Sequence, residues 1–158
     1  MPALRLLLRL SILALLAACS PGQSVLAVRD AWARAAEASS TQTSGHSGDN
    51  AHSGAVSAAY MVIENTGNAA DRLLRVATDA ATTVEIHATQ MEDNVMRMRP
   101  LPDGLEIPAG GQVILEPGGY HLMLIGLQRH LMAGEHLSFT LTFASGKQLV
   151  IEAEIRAP

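Results

Sequence analysis

Residues 118–124 read GGYHLML, with a histidine and a methionine two positions apart in an otherwise apolar run. Side chains alternate across an extended strand, so Tyr120, Leu122 and Leu124 share one face and His121 and Met123 the other. One face suits a hydrophobic core; the other presents an imidazole and a thioether side by side. Pro117, Gly118 and Gly119 mark a turn just before it.

The same rhythm runs outward in both directions. Strands are expected over Val25–Arg34, Ala55–Asn65, Arg72–Ala77, Thr83–Thr89, Asn94–Arg99, Gln112–Glu116, Tyr120–Leu127, His136–Phe143 and Gln148–Ile155. Turn signals separate them: NTGN at 65–68, PDG at 102–104, PAGG at 108–111, PGG at 117–119 and ASGK at 144–147. No helical period is sustained anywhere. Many short strands at this spacing predict an all-β sandwich or barrel.

Composition narrows the function. The chain has 158 residues, enough for one domain with an N-terminal extension, and its apolar fraction of 48% includes only 3% aromatics, so aliphatic side chains must fill the core. Charged residues are 16% of the chain and the formal net charge is -4, with no basic stripe of the kind nucleic acid requires. No nucleic-acid partner is expected.

At the N-terminus, Arg5 and Arg9 accompany an apolar run that ends at Ala17-Ala18-Cys19, and Ser20, Pro21 and Gly22 stop it too early for a membrane span. Residues 1–18 therefore read as a signal peptide. Leu16-Ala17-Ala18-Cys19 resembles a bacterial lipobox, which makes Cys19 the expected lipidated first residue, 19–24 a tether and 25–158 the domain. The expected location is the periplasm or cell envelope, with a membrane reached through the lipid anchor. Loss of Arg5 and Arg9 leaves 9 basic against 15 acidic residues. Because Cys19 is the single cysteine, the domain has no thiol. Disulfides, a cysteine nucleophile, a thiolate metal site and a blue-copper centre are excluded together.

Residues 37–54, EASSTQTSGHSGDNAHSG, contain no large apolar side chain and read as a flexible insertion between the first two strands. It carries His46 and His52. These are either solvent-exposed loop histidines or a mobile pair that closes over a metal, in which case Cu(II) is the ion expected there.

Upstream of the opening stretch, residues 83–100 read TVEIHATQMEDNVMRMRP. Alternation places Glu85, His87 and Thr89 on the polar side of one strand, and Met96 and Met98 on one side of the next, after a turn at Glu92-Asp93-Asn94. Two adjacent strands thus offer an imidazole and a thioether, as His121 and Met123 do again. Two histidines and two methionines make a soft, neutral ligand set that favours Cu(I) over Zn, Mg or Ca. Thioethers exchange readily, as a carrier needs. Two residues along a strand span ~6.6 Å, so Met96 and Met98 cannot share one coordination vertex, and Met91 is a further rival. His130 and Met132 read as loop residues and His136 as a surface residue at a strand start.

These residues resemble the periplasmic copper chaperones of the PCuAC family, whose motif is a histidine, ten residues, a methionine, about twenty-two residues and then His-any-Met. Here His87 is followed by ten residues and Met98, then by twenty-two residues and His121-Leu122-Met123. The resemblance extends over DAWAR (30–34), NTGNAADRLL (65–74), EIHATQMEDNVMRMRP (85–100), IPAGG (107–111) and PGGYHLMLIGL (117–127). It implies a cupredoxin-like Greek-key β-sandwich, Cu(I) held by His87, Met98, His121 and Met123, and delivery toward cytochrome c oxidase. The implied partner is an apo copper acceptor such as an oxidase subunit or a Sco-like assembly protein. The insertion at 37–54 and the second His-Leu-Met triplet at 130–132 depart from the pattern. Copper sequestration without a specific acceptor is the alternative; an enzyme would need an open coordination position that four neutral ligands do not leave.

Overall fold

The computed structural model describes residues 22–38, 55–92 and 95–157. Cys19, the expected signal segment, His46 and His52 lie outside the described residues. Ten strands follow in order: β1 (Leu26–Arg34), β2 (Val56–Asn65), β3 (Asp71–Ala77), β4 (Ala81–Glu92), β5 (Val95–Pro100), β6 (Leu105–Ile107), β7 (Gly111–Leu115), β8 (Tyr120–Leu127), β9 (His136–Phe143) and β10 (Gln148–Arg156). The architecture is the expected all-β, cupredoxin-like one.

All ten strands hydrogen-bond in one continuous sheet of order β5-β4-β8-β7-β2-β1-β10-β9-β3-β6, with β8 also pairing β2. The sheet folds back on itself, since β3 contacts β4 and β6 contacts β7 although neither pair is adjacent in that order. β1 is the junction of the two halves: it runs antiparallel to β2 and parallel to β10. A bulge between Arg29 and Trp32, with Asp30 at φ 54°, bends β1 just before its pairing with β10 begins. Aspartate tolerates this left-handed conformation better than most residues.

Both halves supply one core. Ala59, Met61, Ile63, Ile86, Leu122 and Leu124 from one meet Leu73, Leu137, Phe139, Leu141, Phe143 and Ile155 from the other. Leu122 and Leu124 are fully buried, as the alternation of the opening stretch requires. Burial of each such leucine contributes roughly 1.5–3 kcal/mol.

Nine of the ten strands stand where the periodicity places them, β8 and β9 with the expected bounds and the other seven with shifted ends; β4 is the longest, starting at Ala81 and running on to Glu92. β6 was not expected, because three residues carry too little alternation to register. The fold also takes hold before residue 25, within the expected 19–24 tether. The Gln23 N–H donates to Asn68 Oδ1 at 2.8 Å, and the buried Ser24 hydroxyl donates to Asp71 Oδ2 at 2.6 Å. Of the expected insertion, Glu37 and Ala38 are described, and Ala36 forms a bridge with Leu131.

Candidate metal centre

β4 is flanked by β5 and β8, and its registers decide which side chains meet. His87 lies directly across from His121, Glu85 across from Met123 and Thr89 across from Met98. Residues directly opposite in an antiparallel pair project to the same face. The four expected ligands, His87, Met98, His121 and Met123, therefore share one face of three adjacent strands. Ile86, Ala88, Leu122 and Leu124, all buried, take the other.

The histidine rings are 5.6 Å apart between centroids and inclined at 49°. Two imidazoles on one ion, each at about 2 Å from metal to nitrogen, require a separation of this order. Hydrogen bonds orient both rings. His121 Nδ1–H donates to the Gly119 carbonyl at 3.2 Å, which places the lone pair on Nε2. His87 Nε2–H donates to the Glu85 carboxylate at 2.8 Å, which places the lone pair on Nδ1. Burial pushes the His121 pKa below its ordinary value; the Gly119 hydrogen bond opposes this and the neighbouring His87 adds to it. The ring is thus held neutral near pH 7, the state that binds metal.

One expectation needs correction. Alternation puts His87 on the polar side of its strand and His121 on the face opposite the core, yet they are only 3% and 7% exposed. The two rings lie against each other and the 117–119 turn meets His121 through Gly119, a consequence of strand pairing that alternation does not contain. The methionines differ: Met123 is half-buried, while Met98, Met96 and Met91 are 55%, 57% and 64% exposed.

Next to the histidines lies a cleft of about 330 Å³ whose walls include Arg34, Tyr60, Met98, Gly118, His121 and Met123. Tyr60 stacks on Trp32 with centroids 4.5 Å apart, and the Arg156 guanidinium lies 5.6 Å over the Trp32 ring. The Thr89 N–H donates to the Gly119 carbonyl at 3.1 Å, tying β4 to the turn that forms the cleft rim. Gly118 there has φ 84°, a conformation that glycine adopts without strain.

Glu85 was missed as a functional residue, although its position two before His87 puts it on the same strand face. Tyr60 and Arg34 gave no signal of their own. His130 is exposed, its Nδ1 accepting the Ala38 N–H at 3.2 Å, and Met132 and His136 are exposed. None of these three lines the cleft. Among the described residues no cluster of three or more His, Cys, Asp or Glu side chains is placed to hold a metal. Hard or borderline ions that need carboxylates or thiolates are poorly served, whereas two imidazoles with two thioethers fit a soft monovalent ion.

The chain is 32% identical over 101 residues to "Putative lipoprotein Lxx21020" of Leifsonia xyli, and 27% identical over 99 residues to "Uncharacterized protein RP573" of Rickettsia prowazekii. The matches cover 64% and 63% of this chain and span 61% and 55% of those relatives. Among solved structures, an apo PCuAC domain from PmoF1 superimposes with a TM-score of 0.60 at 24% identity, covering 86% of this chain and 100% of that one. The solution structure of CuI-DR1885 from Deinococcus radiodurans gives a TM-score of 0.56 at 28% identity, covering 80% and 76%. The PmoF1 domain shares the fold. At the level of families, residues 26–155 match "Putative lipoprotein LpqE-like", and the chain belongs to that family.

Proposed function

We propose that this chain is an extracytoplasmic Cu(I) chaperone that holds the ion with His87, Met98, His121 and Met123 and surrenders it by ligand exchange. The observation that carries the proposal is the direct pairing of His87 with His121 on the face that also bears Met98 and Met123. The similarity to a structure titled as the Cu(I) form of DR1885 supports the same ion.

The geometry suits a carrier. Two imidazoles, buried and oriented by Glu85 and Gly119, form a fixed half-site. Met98 at the cleft wall supplies an adjustable ligand from an exposed strand. Copper is the cargo: an incoming donor displaces a thioether first, the ion shifts toward the acceptor, and the imidazoles release it last. All four ligands are neutral, so the exchange requires no proton transfer when both rings begin neutral.

The acceptor we propose is an apo copper site of cytochrome c oxidase or of a Sco-like assembly protein. Lipidation at Cys19 would hold the chain at a membrane of the cell envelope, a reading supported by the lipobox and by the naming of its family and of one relative as lipoproteins. No catalytic role is proposed, since the four donors complete the coordination of the ion.

The test is anaerobic transfer from the Cu(I)-loaded chain to an apo acceptor across a dialysis membrane and in direct mixture. Faster transfer in the mixture than across the membrane supports a chaperone; equal rates would show a passive store.

A further inference from the structure

Three exposed methionines on an edge strand pair need an explanation beyond packing. β5 is the edge of the sheet, and all six of its residues are exposed. Edges are commonly protected with charge or proline rather than with thioethers. Met91 stands directly across from Met96, and Thr89 directly across from Met98, so the three methionines lie on the face that carries His87 and His121. The opposite face of this strand pair holds Arg97 and Arg99, which pair with Glu92; Arg99 makes two hydrogen bonds to its carboxylate, at 2.9 and 2.7 Å. Charge holds one side of the strand pair together and leaves the other to sulfur.

The methionine face leads to the cleft. The Met96 methyl lies 3.9 Å from where a Cβ on Gly118 would stand, so this side chain folds back to the rim shared by Met98, His121 and Met123. The Met91–Met96 pair is two residues from Met98, a step of ~6.6 Å along the strand. Each methionine has three rotatable bonds, enough to bring two sulfurs to one ion and to pass it on.

We propose that Met91 and Met96 form a second, weaker Cu(I) site at the sheet edge, from which the ion passes through Met98 to the histidine site. This rests on the reading of that site as a Cu(I) centre. In each transfer one copper–sulfur bond forms as another breaks; the ion remains Cu(I) and no proton moves. Two thioethers alone hold the ion more weakly than two imidazoles with two thioethers, so flow runs inward.

The test uses protein carrying ¹³C-methyl methionine, titrated anaerobically with Cu(I). The first equivalent should shift the Met98 and Met123 methyls, and the second those of Met91 and Met96, at about 100-fold weaker affinity, or about 2.7 kcal/mol. Met91→Leu/Met96→Leu preserves volume at exposed positions and should fold normally. It should lose the second equivalent, keep the first within about threefold, and load the first from a Cu(I) chelate roughly tenfold more slowly. Unmoved Met91 and Met96 methyls, or a wild-type loading rate in the double variant, would overturn the proposal. His121→Ala separates the two readings. Weakening of the first equivalent while Met91 and Met96 still respond supports both, whereas an undiminished first equivalent refutes the histidine site itself.

Discussion

Two buried polar clusters in this molecule are built in opposite ways. On β3, Asp71 accepts hydrogen bonds from the Ser24 and Ser145 hydroxyls, each at 2.6 Å, and from the Arg72 and Ser145 backbone N–H groups at 2.8 and 3.1 Å. On β4 and β8, His87 and His121 are as deeply buried, but they are oriented by Glu85 and Gly119 and adjoin half-buried or exposed methionines. The Asp71 cluster is closed by short, fixed donors and serves to tie the N-terminal segment to β3 and the β9–β10 turn. The histidine cluster is rigid on one side and adjustable on the other. A buried polar group closed entirely by its own fold supports the fold; one that opens onto soft, mobile donors supports exchange.

Substitutions that separate packing from ligation break this comparison most severely. Leu122→Ala, on the core face between the two proposed ligands of β8, should cost ~2–5 kcal/mol of apo stability in chemical denaturation. Protein that remains folded should bind Cu(I) with nearly the original affinity. His121→Ala should reduce Cu(I) affinity by more than about 100-fold in chelator competition, since even outer partners of metal ligands are worth 10–100-fold. Because His121 is buried, this variant should also lose some apo stability, unlike a ligand standing in solvent.

Glu85→Gln sharpens the comparison within the histidine cluster. It keeps the shape and weakens the hydrogen bond that orients His87, so Cu(I) affinity should fall by about 10-fold with little change in apo stability. An unchanged affinity would make the Glu85 contact a surface ion pair and nothing more.

The Asp71 cluster predicts a pH dependence of the opposite character. Burial alone would raise the Asp71 pKa, but the hydrogen bonds from Ser145, Ser24 and Arg72 outweigh it and hold the carboxyl below its ordinary value. The carboxylate is therefore favoured in the folded state. Its contribution is present above the unfolded pKa of about 3.9 and is lost as pH falls through the lower folded value. Asp71→Asn should lower stability at pH 7 by about 1–3 kcal/mol, with a gap to wild type that narrows in acid, and should leave Cu(I) affinity unchanged. Denaturation of both proteins between pH 2 and pH 7 measures it, and a constant gap would contradict this account.

Much of this was legible in the chain. Period-two alternation located nine strands and assigned Leu122 and Leu124 to the core, and the resemblance to the PCuAC motif pointed to His87, Met98, His121 and Met123 where alternation left Met96 and Met91 as rivals. What could not be read is the order of strands. β4 and β8 are far apart in sequence, and only their pairing sets His87 against His121. Burial of these histidines goes with the same pairing, which alternation within one strand does not contain. Asn65 opened a turn signal and Asp71 fell just before an expected strand, yet both are buried and hydrogen-bonded, because their side chains accept from backbone and hydroxyl donors that include distant segments.

X-ray absorption of the Cu(I)-loaded protein tests the central claim most directly, because imidazole nitrogen and thioether sulfur scatter distinguishably. The account predicts a mononuclear Cu(I) centre with two nitrogen and two sulfur neighbours, losing nitrogen in His121→Ala and sulfur in Met98→Leu and Met123→Leu. A first shell without sulfur, or one unchanged in all three variants, would contradict it.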